Sequence, residues 1–169
     1  MSYIITISRV NASGAKKMSE DLAAELNLPI YDTDDLKPEG KELSYPELFE
    51  YHTKVLNEIA DRDESCIVIG RVGDAILKNR SNVVRFGFRV PYEKSIEVCM
   101  TTKNHTYEEA VEIVNNSNTE RDAYYYAVFN KHWEHEVEFD LCINSCAMDW
   151  GKCVELMKHY ITLKLGVEL

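Results

Sequence analysis

Glycine and proline are scarce, 7 and 4 among 169 residues, which excludes a collagen-like repeat or a low-complexity chain. No stretch approaches the roughly 18 consecutive apolar residues of a membrane span. The short apolar run within Met1–Ile7 has no basic leader before it, so neither an anchor nor a secretory signal is expected. Positive charge is in deficit as well: 19 Lys and Arg against 29 Asp and Glu leave a net charge of −10. A surface of that sign disfavours nucleic acid or an anionic membrane as partner. Any anionic ligand must be gripped by a local cluster of cations working against the overall field. The five cysteines (Cys66, Cys99, Cys142, Cys146 and Cys153) are an odd number inside apolar segments, so they read as reduced, buried thiols and the expected setting is the cytoplasm. Cys142, Cys146 and Cys153 match no standard zinc spacing. His132 and His135 lack a third ligand nearby, so no metal site is expected.

What is present is a globular composition, 45% hydrophobic and 28% charged. The length predicts one domain over 1–169, large enough to hold a core without disulfide or metal. Tyr3–Ile7 is a β-branched and aromatic run suited to a buried parallel strand. Ser8–Gly14 then reads as a polar loop, and Met18, Leu22 and Leu26 mark a helix after it. Further strands are expected at Pro29–Tyr31, Cys66–Ile69, Asn82–Val90 and Phe139–Asn144. Helices are expected over Tyr45–Arg62, Val72–Lys78, from Pro91 onward, over Tyr107–Asn116 and Glu120–Lys131, and over Asp149–Leu163. About five short strands separated by helices predict an α/β protein of three layers, α/β/α, around a five-stranded parallel sheet. Ligands of such sheets bind beyond the carboxyl ends of the strands.

The loop after the first strand opens onto a helix N-terminus, where free N–H groups and the helix dipole favour an anion. A full phosphate loop reads Gly-x-x-x-x-Gly-Lys-Ser/Thr; here the corresponding residues are Arg9, Gly14, Ala15 and Lys16, so only the second glycine survives. Arg9, Asn11, Ser13, Gly14, Ala15, Lys16 and Lys17 form the candidate phosphate cradle. The two lysines oppose the helix dipole, which makes sense if an anion sits before them. At the next central strand end, Arg71 can hold phosphate through two parallel hydrogen bonds, and Asp74 lies one turn on. Asp32 and Asp34 follow the second strand. Arg121, on the tyrosine-rich helix, is a third candidate cation. The tyrosines Tyr124, Tyr125 and Tyr126 with Trp133 read either as a stacking surface or as mixed burial on two helix faces.

Five segments in this order resemble the cytidylate kinase-like family of P-loop proteins: Ile-Thr-Ile-Ser-Arg-x-x-x-Ser-Gly, Ala-Ala-Glu-Leu-Asn-Leu-Pro-Ile-Tyr-Asp, Ile-Val-Ile-Gly-Arg-Val-Gly-Asp, Glu-Arg-Asp-Ala-Tyr-Tyr-Tyr and Phe-Asp-Leu-Cys-Ile-Asn-Ser. The resemblance covers about Tyr3 to Tyr160. It implies a P-loop nucleoside triphosphate hydrolase-like fold that transfers the γ-phosphoryl group of ATP, with Mg²⁺, to a nucleoside monophosphate or similar small acceptor. Residues 32–65 would form the acceptor-binding region and residues 101–135 lid-like helices. Lys16, Arg71 and Arg121 would serve transfer, while Asp32, Asp34, Arg71 and Asp74 would face the acceptor. Lys16 falls where the family has an arginine, and either Lys16 or Lys17 would replace the missing lysine of the phosphate loop.

The departures from the family are specific. Ser95 and Val98 stand where arginines are expected after Pro91. Asn118 replaces an aspartate three residues before Arg121. Only 33 residues separate Asp32 from Cys66, fewer than the acceptor-binding region usually takes. Phosphoryl transfer depends on positioning and on positive charge around the transferring group, so each lost cation counts against turnover. Two readings therefore stand together: a small-molecule kinase, and a non-catalytic kinase-like protein that binds nucleotide or phosphate. An unrelated flavodoxin-like ligand binder would require the resemblance to be accidental.

Overall fold

The computed structural model describes residues 2–133 and 138–169. At its centre lies β1 (Ile4–Arg9), flanked by β3 (Cys66–Ile69) and β4 (Val83–Arg89), with β2 (Ile30–Asp32) and β5 (Leu141–Asn144) at the edges. The order β2-β3-β1-β4-β5 is parallel throughout. Ile5 lies opposite Ile67 and Val84, and Ile7 opposite Ile69 and Phe86. That register stacks β-branched and aromatic side chains in rows, as a sheet covered on both faces requires.

On one face Ile5, Ile7, Phe86 and Phe88 pack against α1 (Ala15–Leu26) and α6 (Trp150–Leu165) through Met18, Leu22, Met157 and Ile161. On the other, Ile4, Val68 and Val83 meet Leu56 and Ile59 of α2 (Tyr45–Ala60) and Leu77 of α3 (Gly73–Leu77). The expected three-layer arrangement is thus observed. After β1 the chain builds β2 and β3 to one side and then crosses to β4 and β5 on the other. The carboxyl end of β1 is consequently the switch point where a crevice opens.

Two helices close over that end: α4 (Tyr92–Lys103) and α5 (Tyr107–Phe129). The sequence predicts two helices here, Tyr107–Asn116 and Glu120–Lys131, with the poor helix formers Asn115–Thr119 at their junction. The structure has one. Its buried residues Ala110, Val114, Arg121 and Tyr125 keep the same helical phase through the polar stretch, so tertiary burial overrides local preference. A capping box at Thr106 and Glu109 starts the helix.

Ser8 and Arg9 also differ from expectation, lying in β1 and pairing with Gly87 and Phe88 of β4. All five cysteines are free, but only Cys66, Cys99 and Cys153 are buried. Cys142 and Cys146 are exposed because β5 has a neighbour on one side only and Cys146 follows in the loop. Among the described residues no helix is long and apolar enough to cross a membrane.

Candidate active site

Between β1 and α1 the backbone turns through left-handed conformations at Ala12 (φ 55°) and Gly14 (φ 72°). Gly14 is the N-cap of α1 and no side chain caps the helix, so its first-turn N–H groups face the crevice without a side-chain acceptor. Glycine is required here on two grounds. Its positive φ is strained for other residues, and a methyl group on it would lie 2.6 Å from Cε2 of Trp150. Ser13 is buried, and its hydroxyl, like those of Ser8 and Ser145, has no hydrogen-bond partner among the described residues. The loop is braced from α5 by the Asn11 amide, which donates to Oδ1 of Asn118 at 3.5 Å. Ala12 packs beside Ile96 of α4 and Val114 of α5.

The candidate cradle residues are not equivalent. Ala15, at the lysine position of the phosphate loop, is buried in the α1 core. Lys16 stays at the crevice, its Nζ 3.6 Å from Oδ2 of Asp32. Lys17 instead pairs with Asp21 along the exposed side of α1.

The dominant electrostatic feature is a group of arginines at the carboxyl end of the sheet. Arg121 projects from α5 and retains only 7% of its surface exposure. Neither its Nε nor its Nη1 finds a hydrogen-bond acceptor among the described residues. Burial, together with the neighbouring charges of Arg9 and Arg71, pushes its pKa down to about 9, opposed by Asp34 and Asp74. The group remains cationic at neutral pH. Its guanidinium lies 5.4 Å from the centre of the Trp133 ring, which Arg89 also approaches at 5.0 Å, and a ring face offers partial compensation for a desolvated cation. Nη1 of Arg9 is likewise buried without a partner.

Arg71 is set by the glycine before it. Gly70 has φ 127°, and Thr33 Oγ1 occupies the space that a Cβ would fill. Thr33 then accepts the Arg71 amide at 2.8 Å. The Arg71 side chain reaches Asp34 at 3.6 Å and Glu120 at 3.4 Å, but Nε makes no hydrogen bond. Val72 follows with φ 55°, a strained conformation for a β-branched residue. Its burial against Tyr124, Tyr125 and Trp133 holds it there.

Beside Arg71 opens a cavity of about 520 Å³ between the connection from Thr33 to Tyr45, α2 and α5. Asp34, Lys37, Tyr45, His52, Arg71 and Tyr124 are among its lining residues. The short segment between β2 and β3 thus borders a space of small-molecule size. His52 is buried and spans Leu36 O and the Tyr124 hydroxyl, each at 3.0 Å. Burial lowers its pKa, and Tyr124 stacks on Tyr45 with ring centres 5.2 Å apart.

Of the residues singled out from sequence, Arg9, Ser13, Gly14, Lys16, Asp32, Asp34, Arg71 and Arg121 cluster at this sheet end. Asp74 does not line the Arg71 cavity. It lines a smaller one of about 280 Å³ with Lys78, Arg85 and Tyr125, and its buried carboxyl is pushed up to about 6. The tyrosine run divides: Tyr124 and Tyr125 are buried and Tyr126 is exposed, so mixed burial describes it. Among the described residues no three metal-ligating side chains cluster. His132 Nδ1 donates to the Asp122 carboxylate at 2.8 Å, and His135 lies outside the described residues. Thr33, His52 and Arg89 were not evident as site residues from sequence. Gly70 ahead of Arg71 was the one local signal that something packs against that turn.

Comparisons with known proteins agree with this fold. The cytidylate kinase-like family matches residues 34–147. An uncharacterized protein from Eubacterium ventriosum superposes with a TM-score of 0.81 at 18% identity, over 95% of this chain and 98% of that one. A gluconokinase from Sinorhizobium meliloti gives 0.63 at 14% identity over 98% and 94%. Shikimate kinase from Bacteroides thetaiotaomicron gives 0.56 at 13% identity over 94% and 98%. At these identities the superpositions establish the fold. No curated protein matches the sequence.

Proposed function

Since the chain belongs to the cytidylate kinase-like family, we propose that it is a phosphotransferase, moving the γ-phosphoryl group of ATP to a small acceptor held in the cavity beside Arg71. The observation that carries this reading is Arg121, a buried cation under the charge of Arg9 and Arg71, two of whose nitrogens find no acceptor among the described residues. A guanidinium held out of water, with nitrogens that find no acceptor among the described residues and two further arginines nearby, is a place where an anion would restore hydrogen bonds and charge balance. A triphosphate fits the residues present: the free first-turn amides of α1 and the Ser13 hydroxyl would take its oxygens, and Arg9 and Lys16 its charge. Mg²⁺ uses one or two carboxylates together with phosphate oxygens, and Asp32 at the crevice suits that role. The acceptor is a nucleoside monophosphate or a similar small molecule. The gluconokinase and shikimate kinase among the structural neighbours fit a small acceptor.

A second reading, a non-catalytic protein that binds nucleotide or phosphate, is favoured by one observation: Ala15 stands in place of the lysine, with Lys16 leaning on Asp32. One experiment separates the two. ATP with Mg²⁺ should raise the thermal midpoint, and ADP release should appear with a member of a small-metabolite panel. A shift without ADP release supports the binding protein, and no shift with any nucleotide contradicts both. Lys16→Ala should weaken the shift more than Lys17→Ala, because Lys17 is turned towards Asp21.

A further inference from the structure

We propose that Trp133 is a positioning residue of the anion site, its ring holding the guanidinium groups of Arg121 and Arg89 as a pair for one phosphate chain. This rests on the arginine cluster being a phosphate site and adds two residues to it.

Three neighbouring strands run into an arginine at their carboxyl ends. β1 ends on Arg9, β4 ends on Arg89, and Arg71 follows β3 after Gly70. Phe86 and Phe88 of β4 pack towards α1 and α6. By the alternation of a strand, Arg89 therefore leaves on the opposite face, where it meets the ring of Trp133. The next element, α4, contributes no arginine. The guanidinium of Arg89 lies 5.0 Å and that of Arg121 5.4 Å from the centre of the Trp133 ring. Sharing one ring confines a cation from β4 and a cation from α5 to the same corner of the molecule.

That ring is seated before any ligand arrives. It is buried against Val72, Tyr124 and Tyr125. Phe139 packs on the same cluster and occupies the space that a Cβ on Gly87 would fill. The chain leaves α5 through Asn130, in the left-handed conformation at φ 53°, and Asp122 then fastens it. One oxygen of the Asp122 carboxylate accepts the Trp133 amide and the other accepts His132 Nδ1, each at 2.8 Å. Asp122 is the neighbour of Arg121 in α5, so one helical turn carries both the cation and the anchor of its ring.

A ring and a carboxylate would serve a buried arginine differently. An aromatic face compensates a desolvated cation without occupying its N–H groups, whereas a carboxylate takes those groups and cancels the charge. The chain has 29 Asp and Glu, yet Nε and Nη1 of Arg121 find no acceptor among the described residues. The ring thus supports the cation while leaving these donors to an incoming anion. A residue that only filled space here would have no need of an aromatic face.

The test is calorimetric titration of ATP with Mg²⁺, and separately of inorganic tripolyphosphate, into the full chain and its variants below their melting midpoints. Trp133→Leu should weaken both ligands roughly tenfold, the scale of a desolvated cation–ring contact. Trp133→Phe, which keeps a ring face, should stay within about threefold of wild type. Arg89→Met should lose roughly tenfold through the missing charged donor. In the Arg121→Met background Trp133→Leu should cost less than about threefold, because the cation it places is gone. Should Trp133→Leu fail to fold, Arg89→Met decides. Wild-type affinity in Trp133→Leu or Arg89→Met, equal losses in the leucine and phenylalanine variants, or losses that multiply in the double variant would each overturn the proposal, while a weakened Arg121→Met would still uphold the phosphate site. Failure of the wild-type chain to bind either ligand overturns both.

Discussion

Arg121 carries, at the scale of one residue, a structural cost that the proposed phosphate site would account for. A buried guanidinium without acceptors loses several kcal/mol of hydration, and the Trp133 face returns only part of it. Methionine retains the apolar stem and a favourable sulfur–ring contact. Arg121→Met should therefore raise the ligand-free melting midpoint by about 2–4 °C, the shift that ~1 kcal/mol produces in a chain of this size. A lowered midpoint would show that the arginine is already satisfied. Asp74 makes a similar case with pH as the variable. Burial raises its pKa from 3.8 to about 6, so the folded chain binds a proton more tightly than the unfolded one. Its contribution favours the folded state below the unfolded value and is lost as pH rises through that window, amounting to on the order of 3 kcal/mol by pH 7. Asp74→Asn should stabilise the protein at pH 7 and flatten the stability profile between pH 4 and 6, as chemical denaturation at a series of pH values would reveal.

The elements around the crevice are fitted to one another closely enough that small changes should be felt. In Gly14→Ala the new methyl meets the Trp150 indole on a left-handed backbone, for which overpacking and strain together suggest a loss of about 2–4 kcal/mol. Adding Trp150→Ala should recover the steric part, and strictly additive losses in a double-mutant cycle would show that the two do not touch. The capping box of α5 is a separate matter, where Thr106→Ala should cost about 1 kcal/mol. These elements also mark what could be read in advance. Strand order, the parallel sheet and the polar loop between the first strand and the first helix were legible because period and turn residues are local signals. The continuity of α5 was not, since Asn115–Thr119 contradict it locally and only burial at Val114 and Arg121 restores the phase. Nor could spacing reveal that Thr33 fills the gap left by Gly70, or that His52 meets Tyr124 across 72 positions. Such contacts exist only once α2, α3 and α5 have converged.

For the whole molecule, the negative charge and the arginine cluster belong to one description. A net charge of −10 repels free phosphates at long range, so affinity for them must come from short-range, desolvated contacts at the switch point of the sheet. Arg9 and Arg71 were visible from sequence as cations at strand ends, and Arg121 as one on a helix. That the three feel one another's charge follows from the strand order, which brings the ends of β1 and β3 side by side. On the proposed reading the crevice at the end of β1 would take the nucleotide and the cavity beside Arg71 the acceptor. The most direct test is calorimetric titration of ATP with Mg²⁺ into the wild-type chain and into Arg121→Met. The expected result is saturable one-to-one binding by the wild type, weakened by about two powers of ten in the variant, the worth of hydrogen bonds from a charged donor. Equal affinity in the two proteins, or no binding by the wild type, would contradict the assignment of the arginine cluster as the phosphate site.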